Sequence, residues 1–199
     1  MAASDDIATA AAPAGAAPAA ALWLPGSALN CYEGDAALRS WLLTPGLLTQ
    51  RIREAAGEAY SMRVLHEGPQ TTAVGGGDAL GAAPDHLREI EMRCGGALWL
   101  YARTRVPAAT LAVQPWLGRV GARTLGEALG EHDAVLEREP FLYALLAADT
   151  PVVARACAVA GCAPRALWVR RSTFRAGGAP FELEEVFLPD IGRRGGGRS

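Results

Sequence analysis

The chain has 199 residues, half of them apolar, so it is long enough to bury the core of one domain. No run of about 18 uncharged apolar residues is present, which argues against a transmembrane helix. The formal net charge of −2 gives no reason to expect binding to nucleic acid or to a membrane surface.

Both ends of the chain are predicted to be disordered. Residues 1–21 are rich in alanine, but Pro13, Gly15 and Pro18 interrupt them and the first charges are acidic, unlike a secretory signal. Residues 192–199 are mostly glycine and arginine. We therefore expect a cytoplasmic protein with one domain over residues 22–191.

The cysteines and histidines predict neither a disulfide framework nor a metal site. No CxxC, HxxxH or HExxH pattern occurs, and no histidine stands at zinc-ligand spacing from a cysteine. We expect buried, reduced thiols. The residues concerned are Cys31, Cys94, Cys157, Cys162, His66, His86 and His132.

The first part of the domain combines two short helices with a strand. Apolar residues at helical spacing from Ala37 to Leu42 predict a helix that ends at Pro45-Gly46. A second helix is predicted from about Leu47 to Gly57, and residues 59–67 alternate as a strand. The glycine-rich stretch 68–85 is predicted to be a long loop.

Two hairpins organise the rest of the domain. The first joins strands 86–94 and 97–106 through Gly95-Gly96, and the second joins strands 165–175 and 180–189. Between them the pattern predicts short helical pieces over 108–131, a strand or a helix over 134–147, and a short helix over 148–163. Strands that pair as hairpins, with helices early and in the middle, indicate an α+β fold with an antiparallel sheet.

Each hairpin carries one charged side chain on an otherwise apolar strand face. Period-two alternation puts Arg88 on the face of Ile90 and Met92, and it puts Glu185 on the face of three apolar residues, Phe181, Leu183 and Phe187. A buried charge costs on the order of several kcal/mol unless it is paired or bound by a ligand. Two explanations remain open: a salt bridge between Arg88 and Glu185, or a pocket in which the arginine holds a carboxylate and the glutamate hydrogen-bonds the other end of a ligand.

A second arginine pair lies on the return strand of the first hairpin. Alternation gives Arg103 and Arg105 the same face as Trp99 and Tyr101. Arginines beside aromatic rings suit an anion that contains a ring, whereas a solvated face with cation–π contacts is the alternative, which we prefer for Arg105.

Taken together, these segments resemble the chorismate pyruvate-lyase (chorismate lyase) family. The likeness runs from about residue 38 to residue 190 and rests on the order and spacing of WLLTPGLLTQRI, LREIEM, LWLYARTRVP, TLGEAL and LWVRRSTFRAGGAPFELEEVFLP. It implies a single domain in which an antiparallel sheet and helical flaps enclose a ligand site. The implied reaction converts chorismate to 4-hydroxybenzoate and pyruvate, the first committed step of ubiquinone biosynthesis, without metal or organic cofactor. A monomer is expected on the same ground.

The resemblance also assigns residues. The family's substrate-gripping arginine falls on Arg88, its glutamate on Glu185, and its pocket-lining flap residues on Leu48 and Leu125. Arg103 in ARTxVP falls on a position associated with a second ligand along the route in and out. By hypothesis Arg88 pairs with the ring carboxylate, while Glu185 hydrogen-bonds the C4 hydroxyl and assists proton movement. Burial favours a neutral Glu185 and a nearby arginine favours a charged one, so the sequence leaves its protonation state open.

This hypothesis has one consequence, and three rival interpretations accompany it. A buried, well-matched product should leave slowly, so we expect product inhibition. Relative to the family pattern, the N-terminal tail is extra, loop 69–85 is divergent and residues 148–163 resemble an insertion. The first rival is a non-catalytic aromatic-acid sensor, because effector domains of some transcriptional regulators share the fold, although no helix-turn-helix precedes this domain. The second is a lyase or hydrolase acting on another aromatic acid, and the third is a structural salt bridge in a protein of unrelated function.

Overall fold

An eight-stranded antiparallel sheet forms the centre of the molecule. The computed structural model describes residues 21–31, 34–45, 48–70, 84–132 and 136–193. The strands are ordered β1-β6-β7-β8-β4-β3-β2, and β5 pairs with β7 beyond the end of β6. The α+β fold class predicted from the sequence is confirmed. Most of both predicted disordered tails, and residues 71–83 of the predicted loop, lie outside the described residues.

Helices and strands alternate irregularly along the chain. The helices are α1 Ala36–Leu42, α2 Leu48–Ala56, α3 Ala108–Val113, α4 Leu125–Gly130 and α5 Pro151–Ala160. The strands are β1 Leu24–Pro25, β2 Tyr60–Gln70, β3 Asp85–Cys94, β4 Ala97–Val106, β5 Leu136–Arg138, β6 Leu142–Leu146, β7 Leu167–Ala176 and β8 Ala179–Phe187. Short 3₁₀ segments cover Gly26–Cys31, Gly57–Ala59 and Pro115–Gly118.

Both predicted hairpins are present. The structure corrects the predicted loop before the first hairpin, and it resolves the ambiguous stretch between the two hairpins. The predicted loop is shorter than expected, because Gly68–Gln70 extends β2 and Asp85 begins β3. Pro69 fits there since β2 is an edge strand, where a missing N–H group costs little. The ambiguous stretch 134–147 contains two strands, β5 and β6.

A β-bulge in β4 changes which side chains share a face. The pairing with β3 steps from Leu100 opposite Met92 to Leu98 opposite Arg93, so Trp99 is an extra residue without a partner. Trp99 and Leu100 consequently pack into the same part of the core, whereas Tyr101 packs on the other face of the sheet. The expectation that Trp99 shares a face with Tyr101 and Arg103 is therefore wrong.

The two faces of the sheet are covered by different helices. Helix α5 covers one face, where Val152, Val153 and Ala156 pack with Tyr101 and Val186. It confirms the short helix predicted within 148–163, and Gly161 ends it in the left-handed conformation with φ of 65°. Helices α1 and α2 pack on the opposite face, which carries the candidate site.

Candidate functional site

A cavity of about 420 Å³ lies between the sheet and two of its covering helices. Leu48 of α2 and Leu125 of α4, the two residues that the resemblance assigns to the flaps, line it on the helical side. Most of the wall is apolar. The charged and hydroxyl-bearing lining residues are Thr49, Arg88, Thr104, Arg138, Arg170, Ser172 and Glu185.

Arg88 lies in the wall of this cavity and is 2% exposed. Its Nη2 donates to the carbonyl oxygens of Gly121 at 3.0 Å and Arg123 at 2.6 Å, in the turn before α4. Gly121 has φ of 64°, a conformation that favours glycine. These bonds fix the guanidinium beside the cavity, while its buried Nε has no hydrogen-bond partner.

Glu67 is the acidic group nearest to Arg88. One carboxylate oxygen of Glu67 lies 3.9 Å from Arg88 Nε, and both oxygens accept the N–H of Gly121. Burial lowers the pKa of Arg88, and the charge of Glu67 partly opposes that effect. Arginine remains protonated throughout the accessible pH range, so the cavity wall carries a cation that no short salt bridge within the described residues neutralises.

Glu185 lies on the same face but has a different partner. Arg170 Nε donates to Glu185 Oε2 at 2.6 Å, and the two side chains are 2% and 8% exposed. Arg170 Nη1 also donates to the carbonyl oxygens of Thr44 at 3.0 Å and Leu42 at 3.4 Å. This pair therefore ties β7 and β8 to the end of α1, just before the helix that covers the cavity.

Of the two explanations left open by the sequence, the salt bridge between Arg88 and Glu185 is wrong. Residue 88 of β3 stands opposite Thr104, and residue 185 of β8 stands opposite Ala102, so strand β4 lies between them. Two interstrand spacings of about 4.8 Å and one two-residue step of about 6.6 Å separate their Cα atoms by roughly 12 Å. Because both residues line the cavity, a small ligand can contact them together, as the pocket alternative required.

An ion pair joins the two helices over the cavity. Arg53 of α2 donates to Glu127 Oε1 of α4 at 2.7 Å. Glu127 also closes a capping box with Thr124, whose N–H donates to Glu127 Oε2 at 2.7 Å. The Thr124 backbone bond, followed by the Arg53 bond, lowers the pKa of Glu127 to about 2.

Arg103 lies away from this cavity. Its guanidinium donates to Glu184 Oε2 at 2.5 Å on the opposite face of the sheet, where Arg171 donates to the other oxygen at 2.8 Å. Burial raises the pKa of Glu184, but the two arginines outweigh burial and lower it. A second ligand position near Arg103 would be on that face and stays a prediction. Arg105 is 51% exposed and pairs with Glu182, as the solvated-face interpretation expected.

The sequence interpretation missed Arg170 and Ser172, although the same phase argument reaches them. In strand β7, alternation puts Trp168, Arg170, Ser172 and Phe174 on one face, so Arg170 is again a charge among apolar neighbours. The doublet Arg170-Arg171 concealed this signal, because one of any two adjacent arginines must face away from the core. In the structure Arg170 is 2% exposed and Ser172 is fully buried.

Metal-ligating and membrane-spanning features are not found in the part of the chain that the structure describes. There, no three His, Cys, Asp or Glu side chains cluster at metal-binding distance, and no helix has the length and apolar character to cross a membrane. Cys94 and Cys157 are buried free thiols, as expected, but Cys162 is exposed.

Comparison with known proteins connects this geometry to a family. The family model described as "Chorismate lyase" matches residues 17–195. A "Probable chorismate pyruvate-lyase" from Dechloromonas aromatica (strain RCB) is 33% identical over 161 residues, which cover 79% of this chain and 89% of the relative. A second, from Thiobacillus denitrificans (strain ATCC 25259 / T1), is 34% identical over 174 residues, which cover 85% and 89%.

Solved structures give a weaker likeness. The C-terminal domain of histidine utilization repressor from Pseudomonas syringae pv. tomato str. DC3000 aligns with 70% of this chain and 98% of its own length. The identity is 15% and the TM-score is 0.47, so this likeness carries no conclusion about function.

Proposed function

The chain belongs to the chorismate lyase family, and we propose that it removes pyruvate from chorismate to give 4-hydroxybenzoate. One observation carries the proposal: Arg88 and the Glu185–Arg170 pair line the same largely apolar cavity, roughly two strands apart. This arrangement suits a flat ring with a carboxylate at one end and a hydroxyl at the other.

The proposed reaction is an elimination that needs no second reactant. The bond between ring carbon C3 and the ether oxygen breaks, and the hydrogen on C4 leaves as a proton. The electrons of the C4–H bond complete the aromatic ring. The departing enolpyruvate takes up a proton at its methylene carbon and becomes pyruvate, so atoms and electrons balance without oxidant, reductant or water. Because aromatisation drives the step, the protein has mainly to bind the anion and hold a reactive conformer.

Arg88 is proposed to pair with the ring carboxylate. Its buried Nε has no partner, and two carbonyl oxygens already fix its guanidinium, so it is preorganised to receive an anion. Ile90, Met92 and Leu183 in the same wall exclude water from the ring. In such an environment a charge-assisted hydrogen bond is stronger than it is in water.

Glu185 is proposed to accept a hydrogen bond from the C4 hydroxyl and to assist movement of the C4 proton. Arg170 occupies Oε2, and within the described residues no donor bonds to Oε1. That oxygen is therefore available to a ligand in the cavity that Glu185 lines. Arg170 acts as a positioning residue, because it holds the carboxylate in one orientation.

Turnover of pure protein tests the proposal. Chorismate is added, 4-hydroxybenzoate is followed by absorbance, and pyruvate is followed with coupled lactate dehydrogenase. Arg88→Gln should lower kcat/KM by about 100-fold or more, since it removes a buried charge-assisted contact. Arg105→Gln is the matched control, because Arg105 is exposed on a neighbouring strand outside the cavity, and it should stay within about twofold of wild type.

Two results would contradict the proposal. If the wild-type protein binds 4-hydroxybenzoate tightly but does not convert chorismate, the domain is a sensor. If folded Arg88→Gln retains wild-type kcat/KM, Arg88 does not hold the substrate. The roles in ubiquinone biosynthesis, the cytoplasmic location and the monomeric state expected from the resemblance belong to the same proposal.

A further inference from the structure

The proposed substrate carries one more charge than the contacts above account for. Chorismate is a dianion, with one carboxylate on the ring and another on the enolpyruvyl group. Arg88 and Glu185 are assigned to the ring carboxylate and the C4 hydroxyl. A second carboxylate inside a largely apolar cavity requires its own donors, because an unpaired buried charge is strongly unfavourable.

Arg138 is the lining cation that remains uncommitted. Three arginines line the cavity, but Arg88 donates to backbone carbonyl oxygens and Arg170 donates to Glu185. The Arg138 guanidinium lies 4.2 Å from the centre of the Phe141 ring, and within the described residues it forms no ion pair. Its side chain is exposed, which places it at the open side of the cavity.

Ser172 provides a second donor near Arg138. Ser172 is fully buried and lines the cavity, and its Oγ has no hydrogen-bond partner among the described residues. Buried hydroxyl groups are normally hydrogen-bonded, so an orphaned one on a residue that lines a cavity points to a ligand. Arg138 of β5 stands opposite Phe174 of β7, and Phe174 is two residues from Ser172 on the same strand. The Cα atoms of Arg138 and Ser172 are therefore roughly 8 Å apart.

The distribution of charge along the cavity also points to an anion near Arg138 and Ser172. Arg88 is on β3, and β4 and β8 separate it from Ser172 on β7, with Arg138 one strand further on. The cavity wall therefore has cations at both ends and one carboxylate, Glu185, between them. Glu67, near Arg88, offsets charge only at the far end.

We propose that Arg138 and Ser172 bind the second carboxylate of the substrate and thereby select a dianion over the monoanionic aromatic product. This inference rests on the proposed function. The Arg138 guanidinium pairs with the enolpyruvyl carboxylate at the mouth of the cavity, and Ser172 donates a hydrogen bond to one of its oxygens. Elimination detaches this carboxylate from the ring, so 4-hydroxybenzoate is left without these contacts.

Two aromatic probes test the assignment by calorimetry without depending on turnover. 4-Hydroxybenzoate carries the ring carboxylate and the hydroxyl, and 3-(carboxymethoxy)-4-hydroxybenzoate adds an ether-linked carboxylate. Arg138→Gln should lower the affinity for the second probe by about tenfold or more and change the affinity for the first by less than about twofold, because only the second probe reaches the guanidinium. Ser172→Ala should lower the affinity for the second probe by about threefold. Arg138→Lys should retain part of the affinity that Arg138→Gln loses.

Arg175→Gln is the control, because Arg175 is a partly exposed arginine of β7 that pairs with Glu139 and does not line the cavity. It should change neither affinity. Equal losses for both probes in Arg138→Gln, or no loss for either, would overturn the assignment. If wild type fails to convert chorismate but Arg138→Gln still discriminates between the probes, the proposed function fails and the carboxylate site stands. If wild type converts chorismate but Arg138→Gln weakens both probes equally or neither, the proposed function stands and the carboxylate site fails.

Discussion

Removal of Arg170 should destabilise the protein mainly by stranding Glu185. In Arg170→Met, the side chain keeps much of its volume but loses the 2.6 Å bond to Glu185 and the 3.0 Å bond to the Thr44 carbonyl oxygen. It also loses its position 4.2 Å from the Phe141 ring. Glu185 is then a buried carboxylate, 8% exposed, without its cation.

The magnitude follows from these contacts. A charge-assisted bond contributes about 1.5–3 kcal/mol, and breaking a buried pair from one side typically costs about 3–5 kcal/mol. We therefore expect the free energy of unfolding to fall by about 4 kcal/mol in Arg170→Met. The double variant Arg170→Met/Glu185→Gln should lose about 2–3 kcal/mol less free energy of unfolding than the two single variants lose in sum, because it contains no stranded charge.

Urea unfolding of the four proteins in this cycle measures the coupling. Arg171→Met serves as the control on the adjacent residue, which faces the other side of the sheet. There Glu184 keeps Arg103 at 2.5 Å, so the loss should be about 1 kcal/mol or less. If the two single changes add to within about 0.5 kcal/mol, Arg170 does not act through Glu185 and the reasoning is refuted.

Two further predictions concern the helices over the cavity. Glu127→Gln keeps the shape of the capping box but removes the charge facing Arg53, so it should lower the free energy of unfolding by about 1 kcal/mol near neutral pH. Folding lowers the pKa of Glu127 from 4.5 to about 2, so its charge stabilises the folded state above pH 4.5 and loses that effect as pH falls toward 2. If the difference in thermal unfolding between wild type and Glu127→Gln did not change with pH, this assignment would be contradicted. Turnover by the wild-type protein should slow as 4-hydroxybenzoate accumulates. Leu48→Ala should weaken product binding and relieve this inhibition. It should lower the free energy of unfolding by only roughly 2 kcal/mol, because Leu48 already borders a cavity. Progress curves with added product measure the inhibition, and equal inhibition of both proteins would rule out retention of the product by α2.

The predictable part of the candidate site came from local alternation. Arg88 and Glu185 each stand two residues from apolar side chains, and a strand repeats its orientation every two residues whatever its neighbours are. That argument was correct for both residues, and it would also have found Arg170. It failed at Trp99, because a bulge inserts one residue into β4 and nothing in the alternation of that strand reveals it.

The partners of these residues depended on strand order. A salt bridge between Arg88 and Glu185 was one of two explanations open from the sequence, because each residue is the charged member of an apolar face. Strand β4 separates them, and β7 brings Arg170 directly opposite Glu185. Strand order and register arise from contacts between distant parts of the chain, which no local period encodes.

The hairpins, the α+β class and the inward orientation of Arg88 and Glu185 were predictable from the amino-acid sequence, because turn residues and side-chain periodicity act within a few residues. Three relations became visible only in the folded chain: Glu185 pairs with Arg170, Arg103 faces away from the cavity, and Arg138 and Ser172 both line its other end. These relations join segments far apart in the chain, so they exist only after the strands have been brought side by side.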